Sequence, residues 1–179
     1  MQRWHCGFIR GTIVLAFVVG SARGRGGTSP LKAGDLLPPL VGQTVAGKQL
    51  DLPEATERKV AVVIFSFSRT GGQDARSWAQ HISKDDPNLP LYTAIFLESV
   101  PRLFRSLAIS DIRSTMPPAM LGQTLLLYQQ QTFWKQRLKV TDENHACVLV
   151  LDRSGRIRWI SLGPYADALY VHLRKETEP

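Results

Sequence analysis

Past the N-terminal segment, the longest apolar runs fall in the middle and last third of the chain, and each is bounded by turn-forming residues. Val60-Ala-Val-Val-Ile-Phe-Ser-Phe67 is a near-continuous β-branched and aromatic run. It predicts a strand buried on both faces, as in the centre of a parallel sheet. Leu91-Tyr-Thr-Ala-Ile-Phe-Leu97 predicts a second strand and Ala146-Cys-Val-Leu-Val-Leu151 a third, buried one. Between the first two, Gly71 and Gly72 interrupt the run. Ala75, Trp78, Ala79 and Ile82 then recur at i, i+3, i+4 and i+7, which predicts a helix over about 73–82 with one face on the sheet. Asp74 is expected in its first turn, where a carboxylate suits the helix dipole.

The remaining segments read more briefly. Asp85–Pro90 is turn-rich, Pro101 opens a helix carrying Leu103, Phe104, Leu107 and Ala108, and Met116–Met120 reads as a loop. A short strand is expected at Leu125–Tyr128 and a helix at Thr132–Leu138. Asp152–Gly155 forms a turn, after which Arg156–Ser161 alternates in polarity as a returning antiparallel strand does. A last helix is predicted from Tyr165 to Lys175, and a hairpin around Ala46-Gly47-Lys48 precedes the first long strand. Strand, helix, strand, helix, hairpin, helix describes an α/β domain with a mixed sheet, expected over residues 33–176.

The N-terminus differs in kind. Arg3 and Arg10 precede a short apolar core from Gly11 to Gly20, and Gly20 and Ala22 are small residues placed for cleavage. Residues 1–22 therefore read as a secretion signal. The uncharged stretch from Gly11 to Ala22 falls short of the roughly 20 residues that span a bilayer, so an uncleaved anchor is the weaker alternative. No acid precedes Asp35, which keeps a mitochondrial presequence open. Residues 23–32 form a flexible basic linker, too short to argue for nucleic-acid binding.

Composition narrows the chemistry. The 179 residues carry 22 Lys+Arg against 15 Asp+Glu, a net charge of +7 that suits an acidic partner surface or anionic headgroup. Two cysteines, Cys6 and Cys147, exclude a disulfide-dense scaffold and a cysteine-built metal site. The four histidines are scattered; His81 and Asp85 are four apart, but the helix is expected to end between them. No metal or cofactor is expected. Neither a nucleotide-hydrolase phosphate loop nor a Gly-x-Ser-x-Gly nucleophile elbow is present.

Several segments carry a resemblance. Lys32-Ala-Gly-Asp-Leu-Leu-Pro38 with Gly47, Lys48 and Leu50, the stretch Val62–Arg76, and the hairpin Val148–Arg158 resemble the thioredoxin-like superfamily. The peroxiredoxin-like and membrane-anchored periplasmic branches are the nearest. The resemblance implies a three-layer α/β sandwich with a mixed sheet and an N-terminal β-hairpin extension. Such proteins place Cys-x-x-Cys where the first long strand meets its helix; here Thr70-Gly71-Gly72-Gln73 stands there. Disulfide exchange needs a thiolate and a resolving thiol, and these residues supply neither. The family's cis-proline is likewise replaced, by His145-Ala146. Phe65–Trp78, above all Ser68-Arg69 and Arg76-Ser77-Trp78, together with Gly155–Trp159, is similar to the thioredoxin-like mitochondrial ATP synthase assembly chaperones. That similarity implies a redox-inactive helper of membrane-complex assembly.

The candidate contact residues are Arg69, Thr70, Gly71, Gly72, Gln73, Trp78 and His145. Thr70 reads as the helix cap, and the Thr70-Gly71-Gly72 amides beside Arg69 could hold an anion. The favoured function is a non-catalytic binding protein for subunits of a membrane complex, exported and membrane-associated, with peripheral membrane contact as a secondary expectation. One alternative is a divergent peroxiredoxin-like or thiol oxidoreductase using Cys147, which requires that thiol to be open to solvent. Another is a small-anion binder, which requires an open pocket at the helix start. Arg153, Arg156 and Arg158 around Trp159, and the aromatic pair Phe133-Trp134, are further surface candidates.

Overall fold

The computed structural model describes residues 29–178. The targeting segment, Cys6 and most of the basic linker lie outside the described residues. Seven strands form one mixed sheet in the order β2-β1-β5-β4-β3-β6-β7. The chain enters through the hairpin β1 (Leu40–Thr44) and β2 (Gln49–Leu52), with Gly47 in the left-handed region at its tip. β3 (Ala61–Ser66), β4 (Leu91–Phe96) and β5 (Thr124–Leu127) pair in parallel. β6 (Cys147–Leu151) pairs antiparallel with β3, and β7 (Ile157–Leu162) pairs antiparallel with β6. This is the α/β thioredoxin-like sandwich, with the hairpin extending the β5 edge.

β3 shows why an unalternating run was needed at the centre. Ala61, Val63 and Phe65 face a core closed by Trp134, Leu138, Leu37 and Leu31. Val62 and Ile64 face a second core built on Ala75, Trp78, Ile82, Tyr170 and Leu173. Helix α3 (Gln131–Arg137) thus covers one face, and α1 (Arg69–Asp85) with α4 (Asp167–Thr177) covers the other. Full burial of each large apolar side chain contributes about 1.5–3 kcal/mol, so both faces of β3 hold the fold together.

The fourth helix, α2 (Arg105–Thr115), follows a 3-10 turn over Arg102–Phe104. It seats only Ala108, Ile109 and Ile112 on a small cluster with Val45, Leu97 and Leu126. Leu103, Phe104 and Leu107, expected on the apolar face of this helix, are 87%, 56% and 66% exposed. The helix is tethered by few core contacts, and a second 3-10 turn at Pro118–Met120 carries the chain into β5.

Three expectations need correction. Helix α1 begins at Arg69 rather than about 73, and the glycines sit in its first turn instead of ending the strand. Its cap is Ser68, not Thr70: the Ser68 hydroxyl accepts the Gly71 N–H at 3.0 Å. The helix also runs on to Asp85, so His81 and Asp85 share it. They do not act together, because His81 Nδ1 donates to Ser77 O while Asp85 accepts from Tyr170. Asp74, consequently, lies one turn deeper than the first turn, where its carboxylate accepts amides of other segments instead of serving the helix dipole.

Candidate functional site

The C-terminal end of β3 and the start of α1 meet the loop Asp142–Ala146 that leads into β6. Ser68 joins them, since its hydroxyl also donates to Glu143 O at 2.7 Å. Gly71 packs so closely on the loop that a Cβ there would lie 2.6 Å from Glu143 O. Only glycine gives that approach. From one turn further along α1, the Asp74 carboxylate accepts the Ala146 N–H at 2.8 Å and the Tyr165 N–H at 3.1 Å. Lys135 reaches from α3 to Glu143 at 2.7 Å and holds the loop from its other side. Backbone amides and carboxylates therefore hold the corner where a dithiol would sit.

Arg69, Thr70 and Gln73 are exposed around this corner, Gly72 is half-buried and Gly71 is buried. His145 is partly exposed beside them, its Nε2 3.6 Å from Asp142. Six of the seven candidate residues thus share one end of the sheet. The amides of Gly71 and Gly72 already donate within the helix start, to Ser68 Oγ and Ser68 O. Trp78 is the exception. It is completely buried under the sheet, edge-on to Tyr165 at 5.3 Å and to Trp159 at 6.5 Å. Its helical spacing placed it on the sheet-facing side of α1, and that side has no surface to offer a partner.

Two of the three hairpin arginines are structural ties. Arg156 donates to Gly34 O, and Arg158 donates to Glu176 O and Glu178 O at the end of α4. Trp134 is core, while Phe133 is half-buried against it. No group of three or more His, Cys, Asp and Glu gathers into a possible metal site among the described residues.

Cys147 decides the thiol question. It is wholly buried on β6 opposite Phe65, and burial pushes its thiol far above the usual cysteine range. A thiol held protonated and out of solvent is a small apolar residue rather than a nucleophile. With no Cys-x-x-Cys anywhere in the sequence, dithiol–disulfide exchange is not available to this chain.

Beside the corner lies a feature the sequence did not announce. α1 and α2 stand apart, and the space between them is a cavity of about 530 Å³ floored by β3 and β4. Arg69 and Gly72 line its upper end; Thr70, Gln73 and His145 do not. Two side chains of α1 cross to α2: Arg76 donates to Thr115 Oγ1 at 2.6 Å, and Arg69 lies 3.5 Å from Asp111. No sequence motif marks this cavity, because it follows from how loosely α2 is seated.

Fold and corner together define a thioredoxin-like protein that keeps the sandwich and lacks the redox pair. The ATP10 protein family model matches residues 32–174, and the chain belongs to that family. No curated protein matches it. Among solved structures, the thioredoxin domain of a thiol-disulfide oxidoreductase from Bacteroides vulgatus is 16% identical, over 83% of this chain and 99% of its own, with a TM-score of 0.57. The exposed lipoprotein thioredoxin of Streptococcus pneumoniae is 13% identical over 77% of this chain and 99% of its own, with a TM-score of 0.59. BsSco, a member of the Sco family of cytochrome c oxidase assembly proteins, is 12% identical over 83% and 96%, with a TM-score of 0.54. At such identities the likeness is one of fold.

Proposed function

We propose that this protein is a non-catalytic binding platform that assists the assembly or maintenance of a membrane protein complex. Membership of the ATP10 protein family, in a chain without the redox dithiol, is the observation that carries the reading. The similarity of Phe65–Trp78 to the ATP synthase assembly chaperones gives the direction. The contact face is the exposed corner of Arg69, Thr70, Gln73 and His145, and exposed Leu103, in the 3-10 turn before α2, is the apolar candidate tested with it. Leu103, Phe104 and Leu107 are all exposed within five residues of chain, and such a run of uncovered apolar side chains suits contact with a protein. Residues 1–22 direct the protein out of the cytoplasm, and its place is the extracytoplasmic face of a membrane. Residues 33–176 act as a single domain.

Crosslinking in native membranes followed by recovery of the full-length chain tests the proposal. The informative variants are Arg69→Ala and Leu103→Ser, since Trp78→Ala would hollow the core. Recovery of the same membrane-complex subunits with wild type, and at least fivefold less with the double variant at equal abundance, is the expected result. Equal recovery by both moves the contact face elsewhere. Recovery of none with wild type overturns the assembly reading.

A further inference from the structure

The cavity between α1 and α2 has three properties that belong together. Its walls are apolar, formed by Ala75, Ala79, Leu107, Ile112, Met116 and Met120 among others, and its volume lies within the range of small-molecule sites. The charged residues that line it are Arg69, Arg76 and Asp111, two cations against one anion. On its floor Ser66, at the end of β3, is completely buried and its hydroxyl has no hydrogen-bond partner. Ser66 lines the cavity beside Gly72, where a Cβ would still lie 4.0 Å from that oxygen, so glycine leaves room around a hydroxyl that is itself closed to solvent. A buried hydroxyl without a partner is costly, and the expectation in a native fold is that something satisfies it.

An apolar chamber with a donor on its floor and guanidinium groups across its opening complements one kind of molecule. We propose that the cavity binds a single-chain anionic amphiphile. The hydrocarbon chain lies between α1 and α2. The anionic head sits at the Ser66 end, replacing Asp111 and Thr115 as the partner of Arg69 and Arg76. A polypeptide helix is a poor occupant, because an apolar helix about 10 Å across would break both bridges from α1 to α2 and offer Arg69 and Arg76 no anion in exchange. A free fatty acid and a lysophospholipid share the required chemistry.

The test uses the full chain, stripped of lipid, in calorimetry and native mass spectrometry. The probes are dodecanoate, dodecanol, lauroyl lysophosphatidate and phosphatidylglycerol vesicles. Variants are Ala108→Trp to fill the cavity, with Ala79→Phe as a second filling, Arg69→Gln with Arg76→Gln, and Ser66→Ala; circular dichroism confirms folding. Dodecanoate or lysophosphatidate should bind at one per chain, and whichever of the two binds more tightly identifies the source. Dodecanol should bind at least tenfold more weakly. Either filling and the double arginine variant should each weaken anion binding at least tenfold. Ser66→Ala should bind less tightly while melting at a higher temperature, a pairing that a purely structural hydroxyl would not give. Binding unaffected by both fillings, or no binding of either anion, overturns the proposal. So does binding only to vesicles, or only to an apolar helical peptide, since the cavity would then be a surface for a macromolecule.

Discussion

Asp74 fixes Ala146: the carboxylate accepts the Ala146 amide at 2.8 Å and the Tyr165 amide at 3.1 Å. One helix residue thereby anchors the strand that enters the corner as β6 and the segment that leaves β7. Ala146 is completely buried, so its N–H has no water to turn to. Asp74→Ala should lower unfolding free energy by about 2–3 kcal/mol, as hydrogen bonds to a charged group and an orphaned buried donor predict. Asp74→Asn keeps one acceptor and should lose about 1–2 kcal/mol. Urea unfolding followed by circular dichroism measures both. Equal stability of Asp74→Ala and wild type would remove Asp74 from this role.

The two adjacent glycines of the corner should respond oppositely to alanine. At Gly71 the new methyl would meet Glu143 O at 2.6 Å and His145 O at 3.3 Å, both backbone atoms. Forcing that loop away should destabilise by about 1–3 kcal/mol. At Gly72 the nearest atom within reach is Ser66 Oγ at 4.0 Å. There alanine removes the conformational freedom of glycine from a helix and should stabilise by about 0.5–1 kcal/mol. Thermal melts of the two single variants decide the matter. The same sign for both would mean that the close approach at Gly71 is not a constraint.

Cys147 should be silent toward thiol reagents in the folded protein. Burial leaves its sulfur neither ionised nor accessible. Alkylation read at this site by peptide mass spectrometry should stay negligible in native buffer and rise along the urea transition. Cys147→Ser would place an unpaired hydroxyl in the core and should cost about 1–3 kcal/mol. Rapid labelling of the native protein would restore the thiol-enzyme reading.

These residues also mark how far the sequence alone carries. The strands around Ile64, Ala94 and Leu149 were legible because burial on both faces leaves nothing but apolar residues to place there. The buried face of α1 was legible from the spacing of Ala75, Trp78 and Ile82, but the function given to Trp78 was not compatible with that same spacing. The cap was misplaced by two residues because Ser68 and Thr70 offer the same hydroxyl. Tertiary contact with Glu143, some 75 residues away, selects Ser68. Asp74 read as a dipole partner because its true partners lie 72 and 91 residues further on. The cavity was invisible for a related reason: Leu103, Phe104 and Leu107 have the pattern of a buried helix face, and only the assembled sheet shows that nothing covers them.

A last prediction concerns alkaline stability, through Tyr170 and Asp85. The Tyr170 hydroxyl donates to Asp85 at 3.0 Å. Burial first, and then that hydrogen bond and the Asp85 charge, push the phenol up to about 12 from an ordinary value near 10. The folded state therefore holds its phenolic proton more tightly than the unfolded chain does. Its contribution is fully present below about pH 10 and is lost as pH rises through about 12. Within that window stability should fall by at most about 1.4 kcal/mol per pH unit for this one group. Tyr92 and Tyr165 are shifted in the same direction and add to the slope. Tyr170→Phe should lose about 1 kcal/mol at neutral pH with the hydrogen bond, and show a shallower decline above pH 10. Urea midpoints of wild type and variant between pH 8 and 11.5 test this. Parallel curves would mean that Tyr170 ionises alike in the folded and unfolded chain, and that Asp85 contributes nothing to keeping its proton.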